Sequence, residues 1–198
     1  MDTTITDIKI LECTDSKFVR PYRISFTQDG MRRNWDCVHV HDSVSILLYH
    51  ENKDAFLLVK QFRPPIWYNL SKSGENYEEM GYTYELCAGL MDKGLSEEQT
   101  IEEEAIEEVG FKLYSVEKIA VTHGALGFGG NKQTMFYAAI NDDMKIGSGG
   151  GIDGERIELV YLKLEQVREF MTNEQKIKSP GLLFAFMWWG NKFKRDIV

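Results

Sequence analysis

The sequence has few cysteines, no long apolar run and no surplus of basic residues. Its three cysteines, Cys13, Cys37 and Cys87, cannot complete an even disulfide framework, and we expect free thiols in a reducing, cytoplasmic setting. No segment approaches the roughly 20 apolar residues that a membrane-spanning helix needs. Residues 1–9 lack the basic and apolar regions of a signal peptide. We therefore expect a soluble protein with no membrane partner.

Acidic residues outnumber basic ones by 31 to 23, which gives a net charge of −8. Such a chain repels the phosphate backbone of nucleic acids, so general nucleic-acid binding is excluded. A small phosphate-bearing substrate is not excluded, because a bound metal ion and a few local cations can hold it. With 198 residues, of which 43% are hydrophobic, the chain is long enough for one sizeable core.

Short alternating or β-branched segments predict a strand-rich chain. Strands are predicted at residues 5–13, 22–27, 34–40, 43–49, 56–62, 82–87, 113–122, 134–140 and 156–162. Helices are predicted between Ser96 and Gly110, at 165–172 and at 181–192, and an exposed loop at 71–81. We expect an N-terminal strand-rich extension of residues 1–41 and one catalytic domain of residues 42–198.

The helix that follows Ser96 has an unusual charge. Seven glutamates occupy the twelve residues from 97 to 108, with no Lys or Arg among them. Glu104 and Glu108 stack one turn apart, where like charges destabilise a helix by a few tenths of a kcal/mol per pair. A solvated helix face is the ordinary explanation of such a run. Clustered carboxylates are also the ligands that Mg²⁺ or Mn²⁺ prefers, so we interpret the helix as a platform for a divalent metal.

Residues 89–111, GLMDKGLSEEQTIEEEAIEEVGF, resemble the Nudix box, G-x5-E-x7-R-E-U-x-E-E-x-G-U, where U is aliphatic or aromatic. The residues in register are Gly89, Glu104, Ala105, Glu107, Glu108, Gly110 and Phe111. Leu95 stands where the first Glu belongs, and Glu103 where the Arg belongs. The family's Arg positions neighbouring carboxylates, so both departures bear on the geometry of the site. Glu97 or Glu98 is a candidate substitute for the missing Glu.

The resemblance implies roles for individual residues. Glu104 and Glu108 match the glutamates that hold the metal ions, and Glu107 supports them. Residues 84–89, YELCAG, look like the E-x-x-A-G segment of the nucleoside-diphosphate-sugar branch, in which the alanine carbonyl, here that of Ala88, is a metal ligand. Residues 59–64, VKQFRP, are similar to that branch's Q-x-R segment, and a guanidinium suits a phosphate better than an ammonium does. Arg63 is therefore the phosphate-binding candidate.

An acidic loop before a late strand supplies the catalytic carboxylate in related ADP-ribose pyrophosphatases. Here that loop corresponds to residues 149–155, which places Glu155 at a metal-ligand position and Asp153 at the position of the general base. Glu158 is the alternative base. Both loop residues also suit an ordinary turn.

Aromatic residues supply candidates for stacking on the base of a nucleotide. Trp35, Tyr22 and Trp67 are such candidates, although core packing is the commoner role of these residue types.

The resemblance implies an α/β fold, the Nudix α/β/α sandwich with a mixed sheet, and a homodimer that exchanges N-terminal strands. The implied reaction is Mg²⁺-dependent hydrolysis of a nucleoside diphosphate sugar, first UDP-glucose to UMP and glucose 1-phosphate. ADP-ribose and GDP-mannose are the alternative substrates. A weakly active, nucleotide-binding regulator of the same fold is a further alternative, motivated by Leu95 and Glu103.

Overall fold

A computed structural model describes residues 4–152 and 154–197. These residues divide into two compact units, Asp42–Thr122 with Lys132–Val198, and Met1–His41 with His123–Asn131. The larger unit contains the predicted catalytic segment. None of the helices in the described part of the chain combines the length and apolar character that a membrane crossing requires.

The larger unit is built on a mixed sheet. Its strands are β3 (Ser43–His50), β4 (Ala55–Phe62), β5 (Tyr82–Glu85), β6 (Cys87–Leu90), β7 (Glu117–His123), β8 (Lys132–Ile140), β9 (Ile157–Lys163) and β10 (Ile177–Lys178). The order is β10-β5-β4-β3-β8-β7, while β6 pairs with β3 and β9 with β4. The pairs β3–β8 and β5–β10 are parallel, whereas β3–β4, β3–β6, β4–β5 and β4–β9 are antiparallel. The α/β class with a mixed sheet is thus confirmed.

Helices cover both faces of this sheet. They are α1 (Pro64–Ser73), α2 (Glu97–Glu104), α3 (Val167–Thr172) and α4 (Pro180–Phe193). Side chains alternate along a strand, so neighbouring residues of β3 lie on opposite faces of the sheet. Leu47 packs in a hydrophobic cluster that includes residues of α3 and α4, and Ile46 packs in a second cluster that includes residues of α2. These two cores are the two interfaces of the predicted sandwich.

The smaller unit contains an antiparallel hairpin of β1 (Arg20–Gln28) and β2 (Met31–His39). Its turn lies between the predicted strands 22–27 and 34–40, and Asp29 and Gly30 there both adopt positive φ, at 51° and 78°. Two positive φ angles in a row are typical of the tight hairpin turns that match strand twist. The backbone N–H of Val38 donates to the carbonyl of Phe128 at 2.7 Å, which ties residues 123–131 to this hairpin.

Three sequence predictions were wrong. The strand at 5–13 does not form, and those residues are irregular and mostly exposed, because alternation alone supplies no pairing partner. The loop predicted at 71–81 begins within α1, whose first two residues are Pro64 and Pro65. Proline suits the first turn of a helix, because its missing N–H would have no partner within the helix there. The two prolines therefore begin α1 directly after β4. The predicted strand 82–87 is interrupted at Leu86, so that β5 and β6 have different partners.

Candidate active site

A complete capping box begins the acidic helix. The backbone N–H of Gln99 donates to Ser96 Oγ at 3.1 Å, and the backbone N–H of Ser96 donates to Gln99 Oε1 at 3.0 Å. These bonds satisfy two of the free N–H groups at the start of α2. The start of the helix is therefore fixed by sequence-local chemistry, as the sequence predicts.

The end of the acidic segment departs from the predicted α-helix. Ala105–Val109 form a π-helical turn that contains Glu107 and Glu108, and Gly110 follows with φ 77°. Such turns are rare and occur frequently at functional sites. A Cβ at Gly110 would lie 2.3 Å from the carbonyl oxygen of Gly147, so both φ and space require glycine there.

A glycine-rich loop that contains Gly149, Gly150 and Gly151 caps this π turn. The N–H groups of Gly150 and Gly151 donate to the carbonyl oxygens of Glu108 and Glu107, at 2.8 and 3.1 Å. Both glycines have positive φ, 109° and 84°. The loop that carries Glu155 is thus hydrogen-bonded to the backbone of two of the predicted site residues.

Glu108 is an almost fully buried carboxylate, with 5% of its surface exposed. Its Oε2 accepts a hydrogen bond from the backbone N–H of Ala88 at 3.0 Å. Burial is the main cause that raises the pKa of Glu108 to about 8, and the charges of Glu104 and Glu155 raise it further. No Lys or Arg in the described ranges forms an ion pair with this carboxylate, so its charge calls for a cation from outside the chain.

Glu104 lies directly against Gly89. A Cβ on Gly89 would be 2.1 Å from Glu104 Oε1, so the box glycine leaves room for this carboxylate. Burial first, and then the charge of Glu107, raise the pKa of Glu104 to about 7, while Lys93 opposes the rise. Two carboxylates whose pKa values approach neutrality therefore lie beside the segment that contains Ala88.

Glu155 belongs to the same electrostatic group. Its negative charge is among the smaller causes that raise the pKa values of Glu104 and Glu108, after burial. A Cβ on Gly151 would lie 2.8 Å from Glu155 Oε2, so the loop packs tightly around this side chain. The charge of Glu155 thus acts on both Glu104 and Glu108, whereas Asp153 lies outside the described residues.

Arg63 is already engaged. Its Nε and Nη2 donate to the two carboxylate oxygens of Glu85 at 2.8 and 2.7 Å, and Thr83 Oγ1 donates to Glu85 Oε1 at 2.5 Å. This fork-to-fork pair fixes the plane of the guanidinium. Arg63 also lies within the field of Glu108 and Glu155, which help to raise its pKa after Glu85 does. Sequence reasoning missed Glu85, although it is the Glu of the E-x-x-A-G segment.

Lys93 was also missed. It is the only Lys or Arg in residues 89–111, and its Nζ lies 3.4 Å from Glu103 Oε2 and 3.5 Å from Glu107 Oε1. No pattern within the helix indicates this cation, because Lys93 lies in the loop before it. Glu107 therefore forms an ion pair, whereas Glu104 and Glu108 form none among the described residues.

Several other candidates lie elsewhere. Glu97 pairs with Lys118 and Lys132 at 2.8 and 2.6 Å, so it is not a substitute ligand at the position of Leu95. Glu98 is exposed at the start of α2. Glu158 lies 3.5 Å from Lys60, and it alternates with Ile157, whose side chain joins the core that includes residues of α2. The alternative base is therefore on the opposite face of the sheet from the acidic helix.

The aromatic candidates divide between the two units. Tyr22 and Trp35 belong to the hairpin of the smaller unit, where they are 47% and 51% exposed. Trp35 Nε1 donates to the carbonyl oxygen of Gly127 at 2.7 Å, which fixes its ring within that unit. Trp67 lies in α1 with its ring 6.3 Å from that of Phe62.

The donor set fits a hard divalent cation. The carboxylates of Glu104, Glu108 and Glu155 and the carbonyl of Ala88 would all offer oxygen atoms, the donors that Mg²⁺ prefers. Within residues 4–152 and 154–197, no three His, Cys, Asp or Glu side chains already form a compact metal-binding group. Such a set leaves coordination positions to water and phosphate oxygens, as is usual for Mg²⁺ in phosphate-handling enzymes.

Comparisons with known proteins give consistent relatives. The chain is 33% identical over 200 residues to uridine diphosphate glucose pyrophosphatase NUDT14 of Mus musculus, covering 89% of this chain and 90% of the relative. The corresponding Bos taurus protein is 34% identical, at 93% and 94% coverage. A GDP-mannose pyrophosphatase of Citrobacter koseri is 32% identical, at 94% and 96% coverage. No family model matches the chain.

A solved structure supports the fold. The crystal structure of an ADP compounds hydrolase superposes with a TM-score of 0.69 and covers 92% of both chains at 16% sequence identity. At that identity the likeness concerns the fold alone, and the fold agrees with the sandwich described above.

Proposed function

The chain belongs to the Nudix family of sugar-nucleotide pyrophosphatases, and we propose that it hydrolyses UDP-glucose to UMP and glucose 1-phosphate in a Mg²⁺-dependent reaction. The observation that carries this proposal is the pair Glu104 and Glu108, one half-buried and one buried carboxylate with raised pKa values and no cationic side chain within 4.0 Å in the described chain. A pair of this kind is stable in its charged form only beside a bound cation.

The residues around the pair suit a diphosphate substrate. A bound Mg²⁺ would supply Lewis-acid polarisation of the diphosphate and charge neutralisation. Glu104, Glu108 and the carbonyl of Ala88 would hold that ion, and Glu155 would complete the protein ligands. Three of the five N–H donors of Arg63 lie outside its pair with Glu85, and a guanidinium suits phosphate oxygens. Asp153 remains our candidate for the base that takes the proton of the attacking water, with Glu107 in support.

The choice of sugar nucleotide rests on the relatives. Two of them are named for UDP-glucose and resemble this chain over about nine tenths of its length. GDP-mannose is the second candidate, because a relative named for it is nearly as similar over 94% of the chain. ADP-ribose remains a third. The weakly active regulator is the least supported alternative, because the three glutamates of the box core are all present.

The smaller unit supports a homodimer. In the register of the hairpin, Tyr22, Ile24 and Phe26 of β1 share a face with Trp35 of β2, and all four are exposed. An isolated two-stranded hairpin is marginally stable in water, so a second copy of the chain is a suitable cover for this apolar face. We expect Ile24→Asp to shift the molar mass by light scattering from dimer to monomer. We place the reaction in the cytoplasm, where the three free cysteines are compatible with the redox conditions.

A substrate panel tests the proposed function. Release of nucleoside monophosphate should be measured from UDP-glucose, GDP-mannose and ADP-ribose, each with Mg²⁺ and with EDTA, on the wild type and on Glu108→Gln. We expect EDTA-sensitive turnover that is fastest with UDP-glucose and absent in the variant. Faster turnover of another substrate would change the substrate and leave the reaction class intact. No turnover with any of the three would contradict the proposal and favour the regulator.

A further inference from the structure

The helix of this site carries more negative charge than the box pattern requires. Glu103 stands where the Nudix box has Arg, so a cation has been replaced by an anion at one position. Glu103 and Glu107 are four residues apart, a spacing at which like charges repel. The carboxylates of this segment therefore need a counter-charge from another part of the chain.

Lys93 supplies a cation at that place. It lies in the loop between β6 and α2, next to Gly94, whose φ of 73° turns the chain toward the helix. Its Nζ bridges the two glutamates, 3.4 Å from Glu103 Oε2 and 3.5 Å from Glu107 Oε1. No other Lys or Arg of the described residues lies within 4.0 Å of either carboxylate.

The ion pairs of Lys93 are too exposed to be a fold determinant. The side chains of Lys93 and Glu103 are 43% and 47% exposed, and that of Glu107 is 26% exposed. Surface pairs of this kind contribute little to the free energy of unfolding because water and salt screen them. Their effect is local, because they orient the Glu107 carboxylate and the turn on which Glu108 also lies.

We propose that Lys93 is a positioning residue that takes the place of the missing box Arg, holding Glu107 through a Glu103–Lys93–Glu107 bridge. In the Nudix pattern the cation is an Arg of the helix itself. Here the cation is Lys93 of the preceding loop, and Glu103, at the position of that Arg, is one of its two partners. This inference rests on the proposed function, since orientation of Glu107 matters only to a reaction at this site. The bridge would keep the Glu107 carboxylate oriented although Glu103 has replaced the Arg of the box.

Turnover of a set of variants tests the bridge. Lys93→Met should lower kcat for UDP-glucose about tenfold or more at saturating Mg²⁺, with KM changed by less than about threefold, because the side chain orients a carboxylate and does not bind substrate. Lys93→Arg should retain most of the turnover. Restoring the box cation in Lys93→Met/Glu103→Arg should recover kcat to within about threefold of the wild type. Lys112→Met, at an exposed lysine that contacts the ring of Tyr114, is the matched control and should be unaffected.

Binding of Mn²⁺ alone, followed by electron paramagnetic resonance, gives a readout independent of turnover. Removal of a positive charge beside the acidic helix should tighten Mn²⁺ binding by Lys93→Met about threefold, and adding Glu103→Arg should reverse that change. General damage to the fold would weaken binding and turnover together, and Glu103→Arg would not repair it.

The outcomes separate this inference from the proposed function. A wild type with no turnover on any sugar nucleotide contradicts the function, and the Mn²⁺ titrations then decide whether the charge of Lys93 acts at the site. In an active wild type, an unchanged kcat in Lys93→Met, or a loss that Glu103→Arg does not repair, would overturn the bridge. In an inactive wild type, unchanged Mn²⁺ affinity in Lys93→Met would overturn it.

Discussion

Two groups of glutamates in the larger unit have opposite electrostatic surroundings. Glu79 accepts from Lys60, Lys176 and Tyr84 at 2.6, 2.8 and 2.7 Å, and these bonds outweigh burial and lower its pKa to about 2. Glu97 is bonded by Lys118, Lys132 and Thr134, and its pKa is also about 2. Burial instead raises the pKa values of Glu104 and Glu108 to about 7 and about 8.

The difference separates carboxylates that the chain itself pairs from those that it leaves without an ion pair among the described residues. Glu97 and Glu108 both lie on the acidic segment. Two lysines pair with Glu97, whereas none of the described residues supplies a cation that pairs with Glu108. The paired glutamates stabilise the fold by themselves. The unpaired ones lower its stability unless a cation binds, which is typical of a site whose charge is reserved for a ligand. The following experiments test this contrast, from the largest expected effect to the smallest.

Exchanging one glutamate of each group for glutamine should give opposite results. Glu108→Gln should lower kcat about a thousandfold or more, because the proposed metal ligand, a buried carboxylate, loses its charge, while the protein stays folded. Glu97→Gln should leave kcat nearly unchanged and lower the melting temperature, because Lys118 and Lys132 lose their shared partner. Kinetic assays and thermal melts of the two variants measure both effects. Normal turnover in Glu108→Gln would contradict the metal assignment.

Gly89→Ala should displace the Glu104 carboxylate by steric contact alone, without changing any charge. The added Cβ would lie 2.1 Å from Glu104 Oε1, so the carboxylate must move. We expect about a hundredfold lower turnover, because catalytic geometry tolerates little displacement. Gly127→Ala, where a Cβ meets nothing within 4 Å, is the control with expected wild-type kinetics. Equal kinetics of the two variants would contradict the proposed position of Glu104.

Arg63→Lys should affect substrate affinity more than chemistry. A guanidinium binds a phosphate through several N–H donors in one plane, and an ammonium cannot reproduce that contact. We therefore expect KM to rise about tenfold with little change in kcat. Arg168→Lys is the matched control, since Arg168 pairs with Asp196 in an exposed ion pair. A fall in kcat at constant KM would assign Arg63 a role in the transition state instead.

Stability should depend on pH in opposite directions for the two groups. Glu104 and Glu108 have pKa values above the ordinary value of 4.5, so the folded protein binds their protons more tightly than the unfolded chain does. Their contribution to the free energy of unfolding therefore falls as pH rises from about 4.5 to about 8. Glu79 and Glu97 contribute stability that is complete above about 4.5 and is lost as pH falls through about 2.

Thermal melts in EDTA measure this dependence. Glu104→Gln/Glu108→Gln should melt higher than the wild type at pH 8, by about 3–5 °C, and the difference should shrink toward pH 5. Mg²⁺ should raise the wild-type melting temperature more at pH 8 than at pH 5, since binding to the folded state stabilises it. A difference between the proteins that does not change with pH would contradict the raised pKa values.

Features encoded in neighbouring residues could be predicted. The start of the helix at Ser96, the two strands that flank the turn at Asp29 and Gly30, and the spacing of Glu104 and Glu108 each depend on a few adjacent positions. The mixed sheet followed from the resemblance, and the comparison with a solved structure confirms that fold.

Features that depend on distant residues could not be predicted. Lys118 and Lys132 reach Glu97 across 21 and 35 positions, and Glu85 meets Arg63 across 22. No local pattern distinguishes a glutamate that will be paired in this way from one that will not. The seven glutamates of the acidic segment therefore look alike in the sequence and differ only once the sheet brings lysines to some of them.

The π turn makes the acidic segment sensitive to its length. The π turn Ala105–Val109 contains one residue more than a regular α-helical turn. The directions of the Glu107 and Glu108 side chains depend on that extra residue. Each residue of an α-helix rotates the next side chain by about 100°, so deleting Ile106 would swing both glutamates around the axis without changing either of them. Chains that share every acidic residue of this segment but lack one spacer would therefore point their carboxylates in different directions.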